Sequence, residues 1–103
     1  MPVFNTTYTM PNEDARNFVI WVHQVYMPKA TESGMLTRPR LLRVLSHKDE
    51  ETECFSVQYD VESSTVLHGW YTQCGHQLNE EMTKLFDQRV VGFSTILEVI
   101  DGD

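Results

Sequence analysis

A chain of 103 residues, 41% hydrophobic and 22% charged, has the composition of one globular domain (residues 1–103) that buries roughly 65% of its unfolded surface. Its formal net charge of −7, with no Lys/Arg-rich run, excludes nucleic acid and anionic membranes as expected partners, because phosphate binding needs a basic footprint. No apolar run approaches the roughly 20 residues that span a bilayer.

Met1-Pro2-Val3 opens on strand-like sequence rather than on a basic and then apolar leader, so the expected location is the cytoplasm. Cys54 and Cys74 are then expected as reduced thiols. The first predicted strand is Val3 to Met10. Phe4, Thr6, Tyr8 and Met10 share its larger, more apolar face, and Val3, Asn5, Thr7 and Thr9 share the other. Pro11 ends pairing, having no N–H to donate. Asn12 is the predicted N-cap of a helix running to about Met27, with Glu13 and Asp14 at its positive end. Ala15, Phe18, Val22 and Val25 form its inward stripe, Val19 and Tyr26 its margin, and Ile20 and Met27 its far side. Pro28 predicts a kink or break, a last turn to Ser33 follows, and Gly34 suits the left-handed position after it.

A second strand is predicted over Arg40 to Leu45, with Leu42 and Val44 on one face and Leu41 and Leu45 on the other. The polar run His47 to Glu53 has hairpin length. The third strand, Cys54 to Val61, alternates cleanly: Phe55, Val57, Tyr59 and Val61 oppose Cys54, Ser56, Gln58 and Asp60. Ser63 or Ser64 caps a second helix to about Phe86. Its broad face holds Leu67, Trp70, Tyr71, Cys74, Leu78, Met82 and Leu85, and Gly75 marks a bend. The fourth strand, Val90 to Ile100, is apolar on both faces before the polar Asp101-Gly102-Asp103 tail.

This order, β-α-β-β-α-β, is the split βαβ, ferredoxin-like arrangement of the α+β class. Right-handed crossovers put both helices on one side of a four-stranded antiparallel sheet. The second and fourth strands nevertheless carry apolar residues front and back, and two helices cannot shelter both faces. Packing sheet on sheet with a second copy resolves this, so a homodimer through the sheet faces is expected.

The runs Phe4-Asn5-Thr6-Thr7, Tyr26-Met27-Pro28 with Gly34, Arg43-Val44-Leu45, Phe55 to Tyr59 and Val91 to Glu98 resemble, over nearly the whole chain, a family of short bacterial proteins of unknown function. That family is assigned to the dimeric α/β-barrel group, which implies the same fold and a dimer. The wider group includes antibiotic-biosynthesis-type monooxygenases and other cofactor-independent enzymes, so the resemblance implies no cofactor.

Asn5 and Thr7 of the first strand and Ser56 and Gln58 of the third should meet mid-sheet on the inter-sheet face, with Glu98 at the rim. Polar groups converging within apolar surroundings are the form of a small-molecule site. The plainer expectation is that they hydrogen-bond each other across a filled dimer interface. A cofactor-independent oxygenase acting on aromatic substrates is the enzymatic alternative, with Asn5 as an oxyanion donor and His47, His68 or Glu98 as candidate bases. A structural or regulatory interaction domain is the third. The four histidines lack metal spacing: His68 and His76 lie eight apart, off a shared helical line, so no metal is expected. Cys54 and Cys74 lack C-x-x-C spacing. Arg38, Arg40 and Arg43 are the one basic cluster, with Arg40 and Arg43 on opposite faces. Trp21 and Trp70 could stack on an aromatic ligand, but Trp70 belongs to the apolar helix face, so core packing is the expectation.

Overall fold

Val3–Pro11 (β1), Leu36–Arg43 (β2), Thr52–Val61 (β3) and Val91–Leu97 (β4) pair antiparallel in one sheet of order β2-β3-β1-β4, in a computed structural model that describes residues 1–102. Asp103, the end of the predicted polar tail, lies outside the described residues. The first helical arm runs through α1 (Asn12–Trp21), a π-helical turn at Val22–Tyr26 and α2 (Met27–Thr31). The second runs through α3 (Ser64–Trp70), a π-helical turn at Tyr71–Gly75 and α4 (His76–Leu85). Both arms cover the sheet face that carries Phe4, Tyr8, Phe55, Val57 and Tyr59, and all of these are buried. The fold is the ferredoxin-like α+β arrangement that the element order implies.

The two π-turns account for most departures from simple helical periodicity. In the first, the Met27 N–H donates to the Val22 carbonyl, five residues back. The widened turn sits immediately before Pro28, whose ring and missing N–H would otherwise disturb a regular helix. The helix therefore continues through Pro28 instead of breaking there. The extra residue also rotates the inward stripe. Phe18, Val22, Tyr26 and Ala30, in steps of four, are buried. Tyr26 lies inside and Val25 is only half-buried, the reverse of their predicted places. Met27, predicted on the far side, packs against the core, while Ile20 stays exposed.

In the second arm the His76 N–H donates to the Tyr71 carbonyl. Trp70, Leu78, Met82 and Phe86 are buried, whereas Tyr71 and Leu85 remain 45% and 55% exposed. Gly75 has a packing reason of its own. A Cβ there would fall 2.4 Å from the Trp70 ring, and that ring is pinned by its indole N–H donating to the Ala30 carbonyl at 2.8 Å.

The caps divide. Ser63 is the N-cap of α3 and accepts the Val66 N–H at 3.2 Å. Asn12 is not a cap: Pro11 holds that position and Asn12 is the first helical residue. Its side chain instead donates to the Glu50 carbonyl, tying the loop before β3 to the start of α1. Gly34 takes the left-handed conformation expected of it, at φ 81°.

Strand β2 starts earlier than the apolar pattern suggests, at the fully buried Leu36, and its pairing is irregular between Thr37 and Arg40. Leu45 lies beyond the strand and is 88% exposed, so it belongs to no sheet face. Strand β4 is exposed along its whole length. The helices pack on β1, β2 and β3 and leave β4 largely uncovered on either side.

Candidate functional site

Period-two alternation and strand register together build the face of the sheet that carries no helix. Phe4 and Tyr59 point to the helices, so their neighbours Asn5 and Gln58 point away, and the pairing places Asn5 between Gln58 of β3 and Thr95 of β4. Thr7 likewise sits between Ser56 and Phe93. Arg40 of β2 pairs with Gln58, and Leu42 with Ser56.

These side chains form a polar ladder across all four strands. The Arg40 guanidinium donates to Gln58 Oε1 at 2.9 Å, and Gln58 Nε2 donates to Asn5 Oδ1 at 3.2 Å. Asn5 Nδ2 then donates to the hydroxyls of Thr7 and Thr95, at 3.2 and 3.4 Å. The hydroxyls of Thr7 and Ser56 stand 3.5 Å apart. Asn5 is the hub and is already buried, with 9% of its surface accessible. Apolar side chains flank the ladder on the outer strands. Leu42 on one side, and Val91, Phe93 and Leu97 on the other, are 41%, 61%, 65% and 45% exposed.

Of the sequence-predicted residues, Asn5, Thr7, Ser56 and Gln58 come together on this face. Glu98 follows β4 in non-strand chain and makes no hydrogen bond with them. Thr95 and Arg40 complete the ladder and were not singled out for it, because only inter-strand register reveals that they stand beside Asn5 and Gln58. Arg40 and Arg43 do lie on opposite faces: Arg43 reaches Glu53 at 3.2 Å and sits over the Phe55 ring. Among the described residues, no group of three or more His, Cys, Asp or Glu is placed to hold a metal ion.

The structure also has a concave feature that the sequence did not indicate. On the helix side of the sheet, beside β4, lies a cavity of about 480 Å³. Phe4, Thr6 and Tyr8 of β1 with Gly92 and Ser94 of β4 line its sheet side. Leu67, His68 and Trp70 of α3, and Asn79, Met82 and Thr83 of α4, line its helix side. The hydroxyls of Thr6 and Ser94 pair at 2.8 Å. The one available sequence signal was Gly92 inside a strand, which marks a close approach. A Cβ there would lie 2.7 Å from the Tyr8 ring.

Burial is the first cause holding the Tyr8 and Tyr26 phenols above their ordinary pKa, and for Tyr26 the neighbouring Tyr8 and Tyr59 add to it. The Tyr59 phenol is raised as well, chiefly by burial, and its hydroxyl has no hydrogen-bond partner among the described residues. The Cys74 thiol is raised by burial and then by Glu32. Burial thus moves the ionisation of these phenols further above neutral pH, and the thiol lacks the lowered pKa of a reactive one.

Residues 1–100 match a family described as a domain of unknown function, DUF4286. The chain belongs to that family. No curated protein matches it. Among solved structures, this DUF4286 domain is similar to HapK from Hahella chejuensis, with TM-score 0.68 at 10% identity, covering 100% of this chain and 97% of that one. It is also similar to two proteins from uncultured marine organisms, each described as a dimeric ferredoxin-like protein. The first has TM-score 0.66 at 13% identity, with 100% and 98% of the two chains covered. The second has TM-score 0.60 at 16% identity, with 99% and 100% covered. At these identities the likeness establishes the fold.

Proposed function

We propose that this DUF4286 domain works as a cytoplasmic homodimer whose helix-free sheet faces pack on each other, with Asn5, Thr7, Ser56 and Gln58 as the polar centre of the interface and Glu98 at its rim. The observation that carries this reading is the exposure of Phe93, Val91, Leu97 and Leu42 around a ladder whose polar groups bond to one another. Left in water, such a face exposes large apolar side chains on both flanks of the ladder, and burying them removes apolar surface from water. A second copy related by a two-fold axis offers the same apolar flanks and the same internally bonded centre. The description of two solved structures of this fold as dimeric supports a dimer, whatever its interface. Free thiols at Cys54 and Cys74 accord with a reducing compartment.

A small molecule held between the sheets, at those same polar side chains, is the second reading. Against it stands the mutual bonding of Asn5, Gln58, Thr7 and Thr95, which leaves few free donors for a guest. Light scattering coupled to gel filtration at micromolar concentration tests the assembly. The wild type should elute at twice the 12.0 kDa chain mass, and Leu42→Glu with Phe93→Glu should return it to the single-chain mass while keeping its circular dichroism. A wild type that stays at 12.0 kDa overturns the dimer and leaves the face free for another protein, the interaction-domain reading.

A further inference from the structure

The cavity of about 480 Å³ on the helix side falls within the roughly 300–1,000 Å³ range of small-molecule sites. It opens to solvent beside β4 on the helix side of the sheet, and Phe93 is the one lining residue that it shares with the proposed dimer interface.

Its walls are held apart by specific contacts. Trp70, which lines it, is fixed by the indole hydrogen bond to the Ala30 carbonyl at 2.8 Å. Gly75 lets the Trp70 ring lie against the helix backbone, where a Cβ would stand 2.4 Å away. Gly92 does the same for Tyr8 on the sheet side, where a Cβ would stand 2.7 Å away. Both glycines therefore keep an aromatic ring flat against its own wall and out of the open volume. With the rings fixed in this way, the space is not readily filled by a side-chain rotation.

The lining sets the chemistry of a guest. Tyr71 and Phe93, 45% and 65% exposed, offer ring surface at the rim, and the buried Phe4, Tyr8, Tyr26 and Trp70 back the cavity, which favours aromatic guests through stacked and edge-on contacts. The polar groups are hydroxyls and an amide: the Thr6–Ser94 pair on the floor, Ser64 on α3, and Asn79 and Thr83 on α4. His68 is the one imidazole in the lining, and no Asp, Glu, Lys or Arg lines it. An ionised guest would lose hydration here without gaining a fixed opposite charge. We propose that this cavity binds a neutral, predominantly aromatic small molecule bearing a hydroxyl or carbonyl group, its rings against Tyr71 and Phe93 and its polar edge at Thr6, Ser94 and Asn79.

The neutral fluorophore N-phenyl-1-naphthylamine probes the site with the full chain. A Trp21→Phe background leaves Trp70 as the sole indole, since the chain has two tryptophans. The expected result is saturable binding at one probe per chain, with Trp70 emission quenched in step. Ser94→Phe, on an exposed strand position, should fill the floor and weaken binding by about tenfold or more, a loss of at least one step on the affinity scale. His68→Trp, at an exposed helix position on the lining, is the second variant, read in the same way by probe emission. Leu42→Glu on the other face should leave binding unchanged, whatever it does to the assembly. Non-saturable binding, or unchanged affinity in both Ser94→Phe and His68→Trp, overturns the proposal. So does loss of binding in Leu42→Glu, which would put the probe on the sheet face instead.

Discussion

Arg89, in the turn after α4, clamps the carboxylate of Asp14 in the first turn of α1, donating from Nε at 2.8 Å and from Nη2 at 3.1 Å. The fork geometry matches a carboxylate, and the pair ties the end of the second helical arm to the start of the first. Asp14 is buried, and the hydrogen bonds from Arg89 are the first cause holding its pKa below the ordinary aspartate value. A depressed folded pKa means that the stabilisation is present above the unfolded value of ~3.9 and is lost as pH falls through the lower folded value. Thermal midpoints of wild type and Arg89→Ala should therefore differ most at neutral pH and converge as pH drops below about 4. A difference that stays flat across that window would show that the pair contributes through packing alone.

The contact between Gly75 and Trp70 makes an opposite prediction from helix propensity. On propensity alone, Gly→Ala inside a helix gains about 1 kcal/mol. Here the new Cβ would sit 2.4 Å from a ring whose far side is fixed by the Ala30 hydrogen bond. Overpacking of this kind costs about 1–3 kcal/mol, so Gly75→Ala should lower unfolding stability by about 1 kcal/mol or more. Urea titration followed by Trp fluorescence measures it. A stabilised variant would mean that the ring moves aside freely.

How much of this was legible beforehand depends on which rule each residue obeys. Phe55, Val57, Tyr59 and Val61 against Cys54, Ser56, Gln58 and Asp60 could be sorted because a strand has period two and the two sets differ in chemistry. Asn5 and Thr7 were placed beside Ser56 and Gln58 by the same rule plus the element order. Thr95 escaped because its partnership with Asn5 depends on register across separate strands, which no local pattern encodes. Tyr26 and Val25 exchanged places because a π-turn inserts one residue that a 100° periodicity cannot anticipate. The helix-side cavity was invisible for a third reason. It arises from where the helices sit over the sheet, leaving β4 uncovered, and not from any face pattern.

Tyr59 offers a test of the buried phenol cluster. It is 2% exposed, its ring stacks 6.4 Å from that of Phe4, and its hydroxyl has no partner among the described residues. A buried hydroxyl without a partner carries a desolvation penalty of about 1–3 kcal/mol, whereas the ring contributes by packing. Tyr59→Phe keeps the ring and removes the hydroxyl, so it should be neutral or should raise stability by about 1 kcal/mol. Denaturant midpoints decide the matter. A loss of that size would reveal that the hydroxyl is hydrogen-bonded in solution, with a water as the obvious partner.

Asn5 is where the ladder is most exposed to a single change. It accepts from Gln58 and donates to Thr7 and Thr95, so truncation strands a donor on Gln58 and leaves both hydroxyls to find other partners. If the face stays in water, solvent replaces those bonds and Asn5→Ala should cost only about 0.5–1.5 kcal/mol. If a second copy covers it, the stranded groups are buried and the cost rises to about 1–3 kcal/mol per chain, felt as weaker association. Asn5→Ala in a background already made monomeric by Leu42→Glu and Phe93→Glu separates the two cases. The penalty should be larger in the native background than in the monomeric one, because only there does the partner exclude the water that would repair the ladder. Equal penalties in both backgrounds would mean that the ladder faces solvent in the assembled protein, and the polar centre proposed for the interface would have to be placed elsewhere.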